Sequence, residues 1–162
     1  MVPRKGAEVA QISEKNLKDV LEVRVALDSL AVRLACERIT QEEIEELKKA
    51  CKAFEETTKD KEADAAKIAQ ADVAFHDVIS RATGNERLLQ MISNLSEQMY
   101  RYRFEYLKDV SRYDNLIEEH RVIYESIRKR DKDAARSAAE LHIDNQAKAI
   151  IRQIRLDKES KK

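Results

Sequence analysis

The stretch Tyr100-Arg101-Tyr102-Arg103-Phe104-Glu105-Tyr106 alternates aromatic and charged residues with a period of two, as a half-buried strand would. Taken alone, it would bring a sheet into the fold. A wider window reverses that reading. Leu88, Ile92, Leu95, Met99, Tyr102, Tyr106 and Val110 are spaced by 4, 3, 4, 3, 4 and 4 residues, the period of an apolar helix face. Basic residues interleaved with aromatics also fit single-strand nucleic-acid stacking. A core stripe accounts for the same aromatics more simply, so a helix is expected here.

Composition extends that expectation to the whole chain. In 162 residues there are 2 Gly, 1 Pro and no Trp, so tight sheet turns are hard to build and helix breakers are scarce. The length suits one domain with one core. Charged residues make up 38% of the chain, but 31 Lys and Arg balance 31 Asp and Glu. A neutral balance argues against this segment gripping nucleic acid by itself, which needs a basic surface. Cys36 and Cys51 share no metal-ligand or redox spacing and read as free thiols of a reducing cytoplasm. No apolar run approaches the ~18 residues of a membrane span, and Met1–Glu8 holds no hydrophobic signal core. A soluble, cytoplasmic protein is expected, with no membrane partner.

Capping residues divide the chain into helices. Ser13 caps a first helix from Glu14, whose inward positions include Leu17, Leu21, Leu27, Ala31 and Ala35. Thr40 and Glu43 form a capping box for a second helix carrying Ile44, Leu47, Ala50 and Phe54. The polar run Thr57–Asp64 is a connection, and a third helix spans about Ala65–Ala82. Gly84 can take the left-handed stop and Asn85 can cap the fourth helix. Ser111 and Asp114 are placed to open a fifth helix to Arg130, and Asp131 to cap a sixth reaching about Arg155. The expected fold is all-α, an antiparallel bundle of six to seven helices.

Four ionisable residues fall on the inward faces of these helices. They are Asp72 and His76, one turn apart on the third helix, His120 on the fifth, and His142 on the sixth. A carboxylate turned into a core is costly unless compensated, and neutral imidazole is a common metal ligand. His120 and His142 lie 22 residues apart with Asp131 at their midpoint. In an antiparallel hairpin they stand level, each about 16 Å from the turn at ~1.5 Å per residue. Asp72 and His76 would complete a three-nitrogen, one-oxygen set. The competing reading is four separately satisfied core residues.

Metalloenzyme alternatives meet specific obstacles. The residues three before the histidines are Val73, Ile117 and Ala139, which excludes the paired Glu-x-x-His motifs of a di-iron bundle. His76-Asp77 lacks the upstream histidine of an HD phosphohydrolase, and there is no zincin motif or nucleotide-binding Gly loop. No general base sits at a telling spacing. The residues mark no enzyme, and a metal-dependent enzyme using the same cluster and a purely structural adaptor stay open beside a non-catalytic metal-binding domain.

Several motifs occur in one order along the chain. Glu22-Val23-Arg24-Val25-Ala26-Leu27-Asp28 is similar to the opening E-x-R-x-x-L-E of the FCD domain, the effector-binding domain of FadR-type GntR regulators, with Asp28 where Glu is usual. Asp72-Val73-Ala74-Phe75-His76, Gly84-Asn85, Glu119-His120 and Asp131-Lys132-Asp133-Ala134-Ala135 leading to His142 continue the resemblance over roughly residues 13–155. It implies that Asp72, His76, His120 and His142 hold one divalent cation, zinc, nickel or manganese, and that a small organic acid is the effector. Arg24, Arg103 and Asn145 are the candidate effector contacts, and Arg24 has an alternative partner in Asp28 at i+4. The resemblance further implies a homodimer that touches DNA only through an N-terminal winged helix-turn-helix. Residues 1–12 then read as a remnant of the wing and linker, and 13–162 as the FCD-like domain.

Overall fold

The computed structural model describes residues 13–161. The wing-and-linker reading of residues 1–12 lies outside them. Among the described residues there are six α-helices, one 3-10 turn and no strand: α1 (Glu14–Arg38), α2 (Gln41–Lys59), α3 (Ala65–Ala82), α4 (Glu86–Leu107), the 3-10 turn Val110–Arg112, α5 (Tyr113–Arg128) and α6 (Lys132–Glu159). Four of the caps anticipated from sequence are present. Ser13 accepts from Asn16 N, Thr40 and Glu43 complete a reciprocal box, Asn85 accepts from Leu88 N, and Asp131 accepts from Ala134 N. Each satisfies backbone donors that a helix start leaves open.

Several boundaries differ from expectation. The second helix continues to Lys59, so the connection shrinks to 60–64. The fourth stops at Leu107, and Val110 is 69% exposed in the 3-10 turn rather than on the apolar stripe. Ser111 caps nothing: Asp109 accepts from Ser111 N and Oγ, locking a tight turn before α5. The sixth helix runs on to Glu159.

The α5–α6 connection sets the register on which the site depends. α5 ends at Arg128, and Arg130 takes a left-handed φ of 56°. Arg130 N bonds to Ile127 O at 2.9 Å and Asp131 N to Ser126 O at 3.0 Å, the paired bonds of a Schellman stop. A non-glycine residue is held there because its guanidinium donates to Cys36 O at 2.9 Å and Ile39 O at 2.7 Å, closing the end of α1. Asp131 then starts α6 at once.

Packing produces two apolar clusters. One gathers Leu17, Leu21, Phe54, Met99, Leu116 and Ile143 among others. The second gathers Val32, Leu47, Phe75, Ile79, Ile123 and Ile127 among others. Both cysteines are free, Cys36 buried and Cys51 half-buried, and burial raises the Cys51 thiol pKa to about 11.

Candidate metal centre

The inward faces of five helices meet between the two clusters. Asp72 and His120 are fully buried, His142 is 1% exposed, and the His76 side chain is 19% exposed. One ligand-type atom from each of these four residues lies within 4.8 Å of the others. The level placement of His120 and His142 about the α5–α6 turn is realised, with ring centroids 5.2 Å apart. Phe54 and Phe75 pack on the His120 ring at 4.4 and 4.2 Å and fix its plane.

The polar atoms of this cluster are poorly satisfied. His120 Nε2 lies 3.1 Å, and His76 Nε2 3.5 Å, from Asp72 Oδ1. Arg103 Nε lies 2.8 Å from Asp72 Oδ2. These approaches are short but misaligned: both Asp72 oxygens, His76 Nε2, both His120 ring nitrogens and Arg103 Nε lack a hydrogen-bond partner. Each such buried group costs about 1–3 kcal/mol. A divalent cation would take electron pairs from an Asp72 oxygen and from one ring nitrogen each of His76 and His120, so this donor set fits a metal.

Electrostatics keep the set in its ligating form. Burial lowers the pKa of His76 and of His142 to about 4, leaving both imidazoles neutral at physiological pH. Burial alone would raise the Asp72 pKa. The adjacent Arg103 guanidinium outweighs it and holds the carboxyl well below its usual range.

Two residues overlooked as site members complete the arrangement. His142 Nδ1–H donates to Glu119 Oε2 at 2.6 Å, which leaves Nε2 as the donor atom facing the cluster. Glu119 is next to His120, and the hairpin symmetry that pairs His120 with His142 could have found it. Gln146, one turn beyond His142, receives Arg24 Nη1 on its Oε1 at 2.7 Å.

The three candidate effector contacts fare differently. Arg24 and Arg103, each 6% exposed, line a 30 Å³ cavity against His76 and His142. Arg24 also meets Asp28 at 3.3 Å, the alternative pairing anticipated for it. Asn145 does not line that cavity: its amide donates to Glu119 Oε1 at 2.6 Å. Its connection to the site runs through Glu119 and His142.

The family model of the FCD domain matches residues 19–145. The chain belongs to the FCD family. Similar curated proteins are transcriptional regulators. The HTH-type transcriptional regulator YdhC of Bacillus subtilis is 23% identical over 88% of this chain and 63% of its own length. The galactonate operon transcriptional repressor of Escherichia coli is 28% identical over 73% of this chain and 50% of its own. The chain thus spans between half and two thirds of these relatives. Among solved structures, Escherichia coli McbR/YncC superposes with a TM-score of 0.83 at 17% identity, covering 94% of this chain and 76% of that one. The FCD domain of TM0439, solved metal-free, gives 0.68 at 22% identity, covering 91% and 99%. The solved structures agree on an all-α FCD fold, and the curated relatives are transcriptional regulators rather than enzymes.

Proposed function

We propose that this domain senses a small carboxylate through one divalent cation held by Asp72, His76, His120 and His142. The observation that carries the reading is the convergence of four buried or half-buried ligand-type side chains, of which Asp72, His76 and His120 present atoms without a hydrogen-bond partner. The bound cation supplies positive charge and open coordination positions that a carboxylate or water can take. Zinc, nickel and manganese all suit three nitrogens and one oxygen. Arg24 and Arg103 place two guanidiniums on the same cavity, a setting for the rest of an anion's charge. Glu119, steadied by Asn145, orients His142.

The domain serves a regulator that binds DNA through a separate N-terminal domain and acts as a homodimer. Effector binding changes DNA binding only by preferring one helix arrangement over another. Elemental analysis of protein purified without added metal tests the site. One equivalent of metal is expected, together with a rise in Tm on adding Zn²⁺ or Ni²⁺ to stripped protein. Metal-free protein that gains no thermal stability from either ion would falsify it.

A further inference from the structure

The cavity beside His76 and His142 is small. Its 30 Å³ holds about two waters, room for a carboxylate head and little else. A second, larger space of 680 Å³ lies in the groove between α3 and α4. The two are not separate features: Ser80, Ile92, Ser96 and Arg103 line both. Arg103 is therefore a shared wall, reaching Asp72 on the inner side. Away from that wall the groove is bordered by Val73, Leu89 and Tyr100. Leu89 and Tyr100 are 37% and 50% exposed and, with Ile92 and Val73, give the groove an apolar wall that an apolar ligand body would cover. Asp77 and Arg81 stand on the same groove as polar residues.

Resting on the metal-and-carboxylate reading above, we propose that the effector is bipartite. Its carboxylate enters the inner cavity, and an apolar body of several carbons lies outside it in the α3–α4 groove. The passage between Ser80, Ile92 and Ser96 is the waist between them. Recognition then divides in two: the inner cavity selects for the carboxylate, and Leu89, Ile92 and Tyr100 select for the body. A short acid confined to the inner cavity is the competing arrangement.

A homologous series of monocarboxylates tests the division. Acetate, butyrate, hexanoate and octanoate are titrated calorimetrically into zinc-loaded protein, and zinc content is measured in parallel. The expected result is binding of acetate and a gain of roughly two- to fourfold in affinity per added methylene. In Ser93→Trp, which fills the outer groove from an exposed position, acetate affinity is expected to stay as in the wild type while the chain-length gain disappears. Zinc and acetate binding without any gain on lengthening overturns the groove and leaves the metal reading standing. A gain that survives Ser93→Trp also overturns it. Protein that takes up no zinc overturns the parent reading and this proposal together.

Discussion

The core contains two apolar layers and one polar layer, and the chain changes layer within about two helical turns. On α3, Asp72 stands between Ala69 of one cluster and Phe75 of the other. On α5, His120 stands between Ile117 and Ile123; on α6, His142 stands between Ala139 and Ile143. The apolar layers are closed on themselves, with Leu17, Leu47 and Ile127 fully buried. The polar layer is as deeply buried but incompletely bonded. One kind of burial stabilises the fold outright; the other leaves polar atoms without partners. The layers should therefore respond to different perturbations.

Acid should separate them most. In zinc-free protein His76 and His142 stay neutral down to about pH 4, whereas in the unfolded chain they take up protons near pH 6.5. Between those values the unfolded state binds more protons, so stability falls as pH falls. The loss is on the order of 3 kcal/mol for each histidine. Asp28 opposes it in part, because burial raises its pKa and its protonation relieves a desolvated charge. Urea unfolding at steps from pH 7 to pH 4 measures the loss. A flat profile would mean that the polar layer is not desolvated.

Truncation in the apolar layers should be blind to metal. Leu17→Ala and Ile127→Ala remove fully buried side chains, one from each cluster. Each is expected to cost about 2–5 kcal/mol, equally in stripped and zinc-supplemented protein. A metal-dependent cost at Ile127 would show that the layers are coupled.

Substitution in the polar layer should change sign with metal. His120→Leu removes two unsatisfied nitrogens from contact with Phe54 and Phe75. Zinc-free protein is expected to gain about 1–3 kcal/mol. The same variant should lose the zinc response, which for the wild type is about 2.7 kcal/mol at a hundredfold excess over Kd. Thermal melts with and without zinc check both halves.

The apolar layers were far more legible in the sequence than the details of the polar one. Caps at Ser13, Thr40, Asn85 and Asp131 are local chemistry and stood where expected. Asp72, His76, His120 and His142 were visible because charge on an inward stripe is conspicuous. On α6 the spacing Ala138, His142, Asn145 would fit one inward face, whereas Ala139 and Gln146, one position round, are the buried pair. Alanines at 134, 135, 138 and 139 are compatible with either face, so periodicity cannot fix the rotation there. Arg103 lies four residues beyond Met99, on the stripe itself. Its pairing with Asp72 depends on how α3 meets α4, which no local pattern encodes. Val110 continued the spacing, yet the chain had already turned at Asp109.

The half-buried position of Asn145 on α6 leads to the smallest effects. Glu119 is 12% exposed and touches His142 directly, so Glu119→Gln keeps the shape but weakens the acceptor that fixes the imidazole. Metal affinity should fall ten- to a hundredfold, with little change in zinc-free stability. Asn145 acts one bond further away, on Glu119 Oε1, and Asn145→Ala should cost less than about tenfold. If Asn145 instead contacted the effector, its loss would reduce carboxylate affinity while leaving zinc affinity intact. Competitive zinc titration and carboxylate calorimetry on the same variant distinguish these. A zinc defect that vanishes in a Glu119→Gln background places Asn145 behind Glu119, because a residue acting only through another adds nothing once that other is removed.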